Sequence, residues 1–193
     1  MGGREEFLQI WQQHITRPGS EKLLDWLVHK TDFFTAPAST RFHGACEGGL
    51  CMHSLNVYHA LHDTFFTEGD SEETFAICAL LHDLCKANYY KPGTRNVKNE
   101  ATGQWEKVPS YSVEDLFPYG HGEKSVFLIE RFMKLHIEEA VAIRWHMGGF
   151  DDAARGGCFA ISEAYDKYPL AVKLHIADLE ATYLMEHRTS AVR

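Results

Sequence analysis

The segment Ala79-Leu80-Leu81-His82-Asp83-Leu84-Cys85-Lys86 carries the first decision about this chain. Together with Phe75, Ile77 and Cys78, its leucines make a helix, predicted from Glu72 to about Lys86, apolar around most of its circumference. Such a helix is expected to be buried on most sides. An Asp beside a His there is costly unless partners or a metal satisfy both. Lys86 lies three and four positions further on and shares their helical surface. These residues alone fit a His–Asp pair bonded only to neighbouring side chains as well as they fit a metal site.

Outward from this helix the same situation recurs. His53 sits on a predicted helix, about Leu50 to Phe66, with Leu50, Val57, Ala60 and Leu61 on its face. His146 ends a predicted helix at about 137–147, flanked by Ala142 and Ile143. Asp178 lies between Leu174 and Ala181 on a predicted helix at about 170–187, and His121 lies between two glycines at the start of one at about 122–135. Each buried imidazole or carboxylate needs a partner, and a metal centre satisfies several at once. Two further helices are expected at the N-terminus. One carries Phe7, Leu8, Trp11 and Ile15, and the other, capped by Ser20, carries Leu23, Leu24 and Leu27. Asp70 and Glu73 have the spacing of a capping pair ahead of Glu72. Residues 32–49 form a turn-rich loop, residues 89–113 read as a β-hairpin turning at Asn99–Gly103, and Gly148, Gly149, Gly156 and Gly157 mark a flexible stretch. The expected fold class is all-α, one domain over 1–193, with a small hairpin insertion.

Composition bounds the function. The 193 residues carry a net charge of −8, with 45% hydrophobic and 24% charged side chains, which fits a globular domain with a sizeable core. No apolar run approaches the ~18 residues of a membrane span. The charged opening, Met1 to Glu6, does not read as a secretory signal. The acidic balance argues against extended nucleic acid held by phosphate neutralisation. Five cysteines without a CxxC pair argue against a disulfide framework or a zinc finger and favour a reducing, cytoplasmic setting.

The order His53, His82-Asp83, Asp178, with Lys86 closing the His–Asp segment, resembles the HD superfamily of metal-dependent phosphohydrolases over about residues 40–185. Residues 1–39 would then be N-terminal helices and loop ahead of the HD core. The resemblance implies a helical bundle in which His53, His82, Asp83 and Asp178 are the basic ligand set. His121 and His146 fall where subgroups with two metals carry extra histidines; these include diadenosine tetraphosphate hydrolases and HD-GYP cyclic-dinucleotide phosphodiesterases. Such ligands suit Fe, Mn, Co, Ni or Zn better than Ca or Mg, and two ions roughly 3.5–4 Å apart can clamp a phosphoryl group and activate a water. Asp83 would bridge the ions, Lys86 would stabilise phosphoryl charge, and a small nucleotide-like phosphate ester or anhydride would be the substrate. The stretch from His43 to Ser54 is similar to the entry of the HD domain in certain bacterial 3′-5′ exoribonucleases. The GYP motif is absent, and no preceding segment reads as an OB-fold. The alternatives are a single-metal 5′-nucleotidase lacking the His121–His146 site, a 3′-5′ exonuclease, and a non-catalytic nucleotide- or metal-binding regulator.

Weaker signals complete the reading. His43 and Arg144 are candidate substrate contacts, set against a structural turn for the first and a surface or ion-pair residue for the second, and Glu47 is a candidate extra ligand. Tyr89, Tyr90, Lys91, Arg95 and Trp105 mix aromatic and basic groups that can stack a base and meet its phosphates, or belong to a solvated hairpin with one packed Trp. Gly122-Glu-Lys124-Ser125 lacks the upstream glycine and strand of a P-loop. His14, His29, His59, His62, His136, His175 and His187 read as surface or packing residues.

Overall fold

The computed structural model describes residues 2–186; His187 lies outside them. The fold is mainly helical, with one two-stranded antiparallel sheet. Helices α1 (Gly3–His14) and α2 (Ser20–Lys30) lead through the 31–48 loop into α3 (Gly49–Phe65), and α4 (Glu72–Leu81) follows. Strands β1 (Tyr90–Lys98) and β2 (Trp105–Val113) form the expected hairpin. Then come α5 (His121–Glu130), α6 (Ile137–Trp145), the single turn α7 (Asp152–Arg155), α8 (Ala160–Lys167) and α9 (Pro169–Glu180).

Packing follows the apolar patterns. Every residue of α4 from Thr74 to Leu81 is buried, and α3 is buried nearly all round. Helix α3 packs on α1, α4 and α9, while α6 packs on α4, α5 and α9. One hydrophobic cluster runs from Phe7 and Trp11 through Leu50, Ile77 and Leu80 to Ile129, Ile143 and Leu174. Burying each such side chain contributes about 1.5–3 kcal/mol. No helix among the described residues is long and apolar enough to cross a membrane.

Several boundaries differ from expectation, each for a local reason. Gly19, in the left-handed region at φ 95°, is the N-cap of α2, so Ser20 is its first residue. Ser71, not Asp70, caps α4: its side chain accepts from the Thr74 amide. Asp70 instead turns back to the Thr67 amide, and Glu73 Oε1 accepts the Thr16 and Arg17 amides at 2.7 and 2.8 Å. Helix α4 stops at Leu81 because the His82 ring takes the Ala79 carbonyl, at 2.8 Å, that the helix would have given to a backbone amide. Leu84–Lys86 continues only as a 3-10 turn. The expected 170–187 helix is α9 followed by a π turn over Ala181–Met185. The stretch read as flexible contains α7, whose Asp151 cap accepts the Ala153 and Ala154 amides; α8 follows it.

The ends of α4 and α6 remote from the histidines are tied together. Arg17 donates to both oxygens of the fully buried Glu139 on α6, which also accepts from Thr74 on α4 at 2.8 Å. Arg17 further pairs with Glu73 and donates to the Lys134 carbonyl. This clamp fixes two helices whose C-terminal ends carry His82 and His146.

Candidate metal centre

A helix leaves its last carbonyls without amide partners. On α4 and α6 the chain answers this in the same way: a His just past the last helical residue folds its ring back onto the carbonyl three residues earlier. His82 Nδ1 donates to Ala79 O at 2.8 Å, and His146 Nδ1 donates to Ile143 O at 2.7 Å. A carbonyl only accepts, so Nδ1 of each ring carries a proton and Nε2 faces inward. His53, on α3, donates from Nδ1 to Glu186 Oε1 at 2.9 Å, and its Nε2 also faces inward. A ring held in this way by its second nitrogen is the arrangement typical of metal-ligating histidines.

The three Nε2 atoms meet two carboxylates. His53 Nε2 lies 3.2 Å from His82 Nε2 and 3.2 Å from Asp178 Oδ1 on α9. Asp83 divides its oxygens: Oδ2 lies 3.5 Å from both His53 and His82, while Oδ1 lies 2.8 Å from His121 Nε2 and 3.6 Å from His146 Nε2. Lys86 Nζ reaches Asp83 Oδ2 at 2.6 Å. All six residues singled out as ligands are thus brought together. They form overlapping groups of potential donors: His53–His82–Asp83, His82–His146–Asp178 and Asp83–His121–His146. Gly122 lets α5 come this close, since a Cβ there would overlap the Arg144 carbonyl of α6.

The electrostatics ask for a cation. Burial favours the neutral form of Asp83, but Lys86, then His82 and His121, outweigh it and hold the carboxyl well below its usual range. Burial likewise opposes ionisation of Asp178, and His53 overcomes it. The His53 imidazole is pushed down by burial and pulled up more strongly by Asp178 and Glu186, to about 9. For His121, burial lowers and Cys85 and Asp83 raise, to about 10. His146 is driven by burial to about 4, so it stays neutral, and its buried Nε2 has no hydrogen-bond partner. Lone pairs that face one another and two carboxylates need a proton or a metal between them. Imidazole with carboxylate is a donor set for first-row transition metals. These buried His/Asp groups can hold a metal ion.

The remaining candidates divide. His43 lies beside the cluster, its ring centre 5.0 Å from that of His53, and burial followed by the neighbouring His53 lowers it to about 4. Arg144 pairs with Glu123 of α5 and with Asp151, the cap of α7, and lies 3.9 Å over the Trp145 ring, which is the ion-pair alternative for this residue. Glu47 is exposed and joins none of the candidate metal groups among the described residues. Trp105 is not the packed Trp of the hairpin, being 71% exposed. Three neighbours of the cluster were not legible beforehand. Glu186 is delivered to His53 by the π turn and also accepts from Asn56 at 3.1 Å. The Cys85 thiol lies 3.5 Å from His121 Nδ1 and was visible only as part of the His82–Lys86 segment. His175 donates to the His146 carbonyl at 2.6 Å. Comparison with known proteins finds no matching family model, curated protein or solved structure.

Proposed function

We propose that this chain is a metal-dependent phosphohydrolase or phosphodiesterase of the HD type, acting on a phosphate ester or anhydride of a nucleotide-like substrate through an activated water. The observation that supports it most is the division of Asp83 between two histidine groups, His53–His82 on Oδ2 and His121–His146 on Oδ1. His53, His82, Asp83 and Asp178 would hold one divalent transition ion (Fe, Mn, Co, Ni or Zn), and Asp83, His121 and His146 a second. Bound there, such ions supply Lewis acidity toward phosphoryl oxygens and make water a nucleophile at neutral pH.

The chain's own residues complete the chemistry. Three carboxylates, Asp83, Asp178 and Glu186, face one ammonium, Lys86, and once metal displaces the protons that His53 and His121 hold, two negative charges are left to offset. One divalent ion offsets them; a second leaves the centre positive and ready for an anionic phosphate. Lys86, pinned at the edge of the cluster by Asp83, places its charge beside the phosphoryl oxygens, where developing negative charge is stabilised. Glu186 and the Ala79 and Ile143 carbonyls keep three imidazoles in the metal-ready tautomer. His43 stands at the rim to meet the substrate.

Elemental analysis of protein purified without chelator tests the reading directly, together with hydrolysis of bis(p-nitrophenyl) phosphate and p-nitrophenyl phosphate in added Mn²⁺. About two transition ions per chain are expected from the shared-carboxylate arrangement. Asp83→Ala should lose both metal and turnover while keeping its helical circular dichroism. One ion, unchanged in His121→Ala, would point to the single-metal nucleotidase alternative. No metal uptake from Mn²⁺, Fe²⁺ or Ni²⁺, or wild-type turnover by Asp83→Ala, would overturn the proposal.

A further inference from the structure

The hairpin stands apart from the cluster chemistry, and its two faces are unlike. Its strands pair along their full length and touch the helices only sparsely. Side chains directly opposite in an antiparallel pair share a face. The register therefore places Tyr90, Tyr111, Asn96, Lys107, Lys98 and Trp105 on one face, and Lys91, Arg95 and Glu106 on the other. The first face contains no carboxylate. Lys98 and Lys107 are exposed on it and make no ion pair recorded among the described residues, in a chain whose net charge is −8. Trp105, at its far end, is 71% exposed, although a tryptophan gains most by covering its ring.

The root of this face is at the metal cluster. The Tyr90 hydroxyl donates to the Ala38 carbonyl at 3.2 Å, and the Tyr90 phenol, part-buried, feels the charges of Lys86 and Asp83. Tyr111, next along, feels Cys46 and Glu47 of the loop that also carries His43. At about 3.3 Å per residue, the eight steps from Tyr90 to Lys98 run the face about 26 Å along the strand from Tyr90. A mononucleotide or dinucleotide at the cluster would leave Trp105, Lys98 and Lys107 untouched.

We propose that this face is a binding arm for a single-stranded oligonucleotide, whose bases stack on Trp105 and the tyrosines and whose phosphates meet Lys98 and Lys107. Aromatic platforms interleaved with cations are how single strands are held without regard to sequence, because every base offers a π-face. A duplex hides those faces. The arm rests on the phosphohydrolase reading only in placing the end of the strand at the cluster. It also localises positive charge that the acidic average conceals.

The test is fluorescence anisotropy of a fluorescein-labelled single-stranded 12-mer with cleavage-resistant phosphorothioate linkages, titrated with the full chain at several salt concentrations. Trp105→Ala should weaken binding roughly tenfold or more, and Trp105→Phe should restore most of it. Lys107→Ala should lower the slope of log affinity against log salt by about 0.7, the value for one lost single-strand phosphate contact. Lys91→Ala, on the opposite face, should leave that slope unchanged. Thermal denaturation verifies that each variant is folded. No binding by the wild type, full affinity in Trp105→Ala, or equal slope changes for Lys91 and Lys107 would each overturn the arm. Turnover of bis(p-nitrophenyl) phosphate by the wild type reads the cluster separately. Turnover without oligonucleotide binding discards the arm alone; Trp105-dependent binding without turnover of any phosphate ester supports the arm and discards the hydrolase.

Discussion

Arg17→Met should destabilise this protein strongly, and the structure sets the size. Glu139 is fully buried, and the Arg17 side chain is 9% exposed. The guanidinium grips both Glu139 oxygens, donates to the Lys134 carbonyl and pairs with Glu73. Removing one partner of a buried pair leaves the other charge uncompensated, at a cost of about 3–5 kcal/mol. For a chain of this length each kcal/mol moves the midpoint by about 2–4 °C, so the melting temperature should fall by about 6–20 °C. Calorimetry or thermal circular dichroism reads this directly. Arg17→Met combined with Glu139→Gln leaves no buried charge and should recover about half of the loss. Because the clamp ties the N-terminal ends of α4 and α6, the single variant should also retain metal less well than the double. A fall of less than about 3 °C, or a double variant no more stable than the single, would mean that Glu139 is not held as an isolated buried charge and would refute the reasoning.

Three further outcomes follow from the geometry. Glu73 has its carboxyl pKa lowered: burial opposes ionisation, and the Thr16 and Arg17 amides and the guanidinium outweigh it. A depressed folded-state value contributes stability that is present above the unfolded carboxylate value, about 4.3, and is lost as pH falls through the folded one. The melting temperature should therefore drop on acidification below about pH 5, and Glu73→Gln should flatten that limb; an equally steep limb in the variant would exclude Glu73 as its source. Gly122→Ala pushes a methyl group against the Arg144 carbonyl and should cost about 1–3 kcal/mol while displacing His121 from Asp83, measured as a lower melting temperature with weakened metal retention. Adding Mn²⁺ to chelator-treated wild type at a hundredfold excess over its dissociation constant should contribute about 2.7 kcal/mol of stability. Asp178→Ala should reduce that gain, and an equal gain in the variant would place the metal elsewhere.

The local elements were legible because they answer to local rules. The apolar run from Phe75 to Leu81 reads as a buried helix, and the alternation broken by Asn99–Gly103 reads as a hairpin. Residues that are expensive to bury marked His53, His82, Asp83, His121, His146 and Asp178, and the fold brings them together. Spacing could not announce the ring-to-carbonyl bonds of His82 and His146, which end two helices early and set the tautomers that turn their lone pairs inward. Nor could it pair Arg17 with Glu139 across 122 positions, show that Arg144 is engaged by Glu123 and Asp151, or bring Glu186 back onto His53.

What the sequence determined by itself, then, is where most of the helices lie (α7 and α8 excepted), where the hairpin turns, and which polar groups the core must reconcile. Each of these depends on neighbours within a few residues, and apolar spacing records them. Tertiary structure alone decided which groups reconcile one another, how Asp83 is shared, and which hairpin face is free of acid. Those depend on distances between residues tens of positions apart, set by the packing of α3, α4, α6 and α9 and by the strand register.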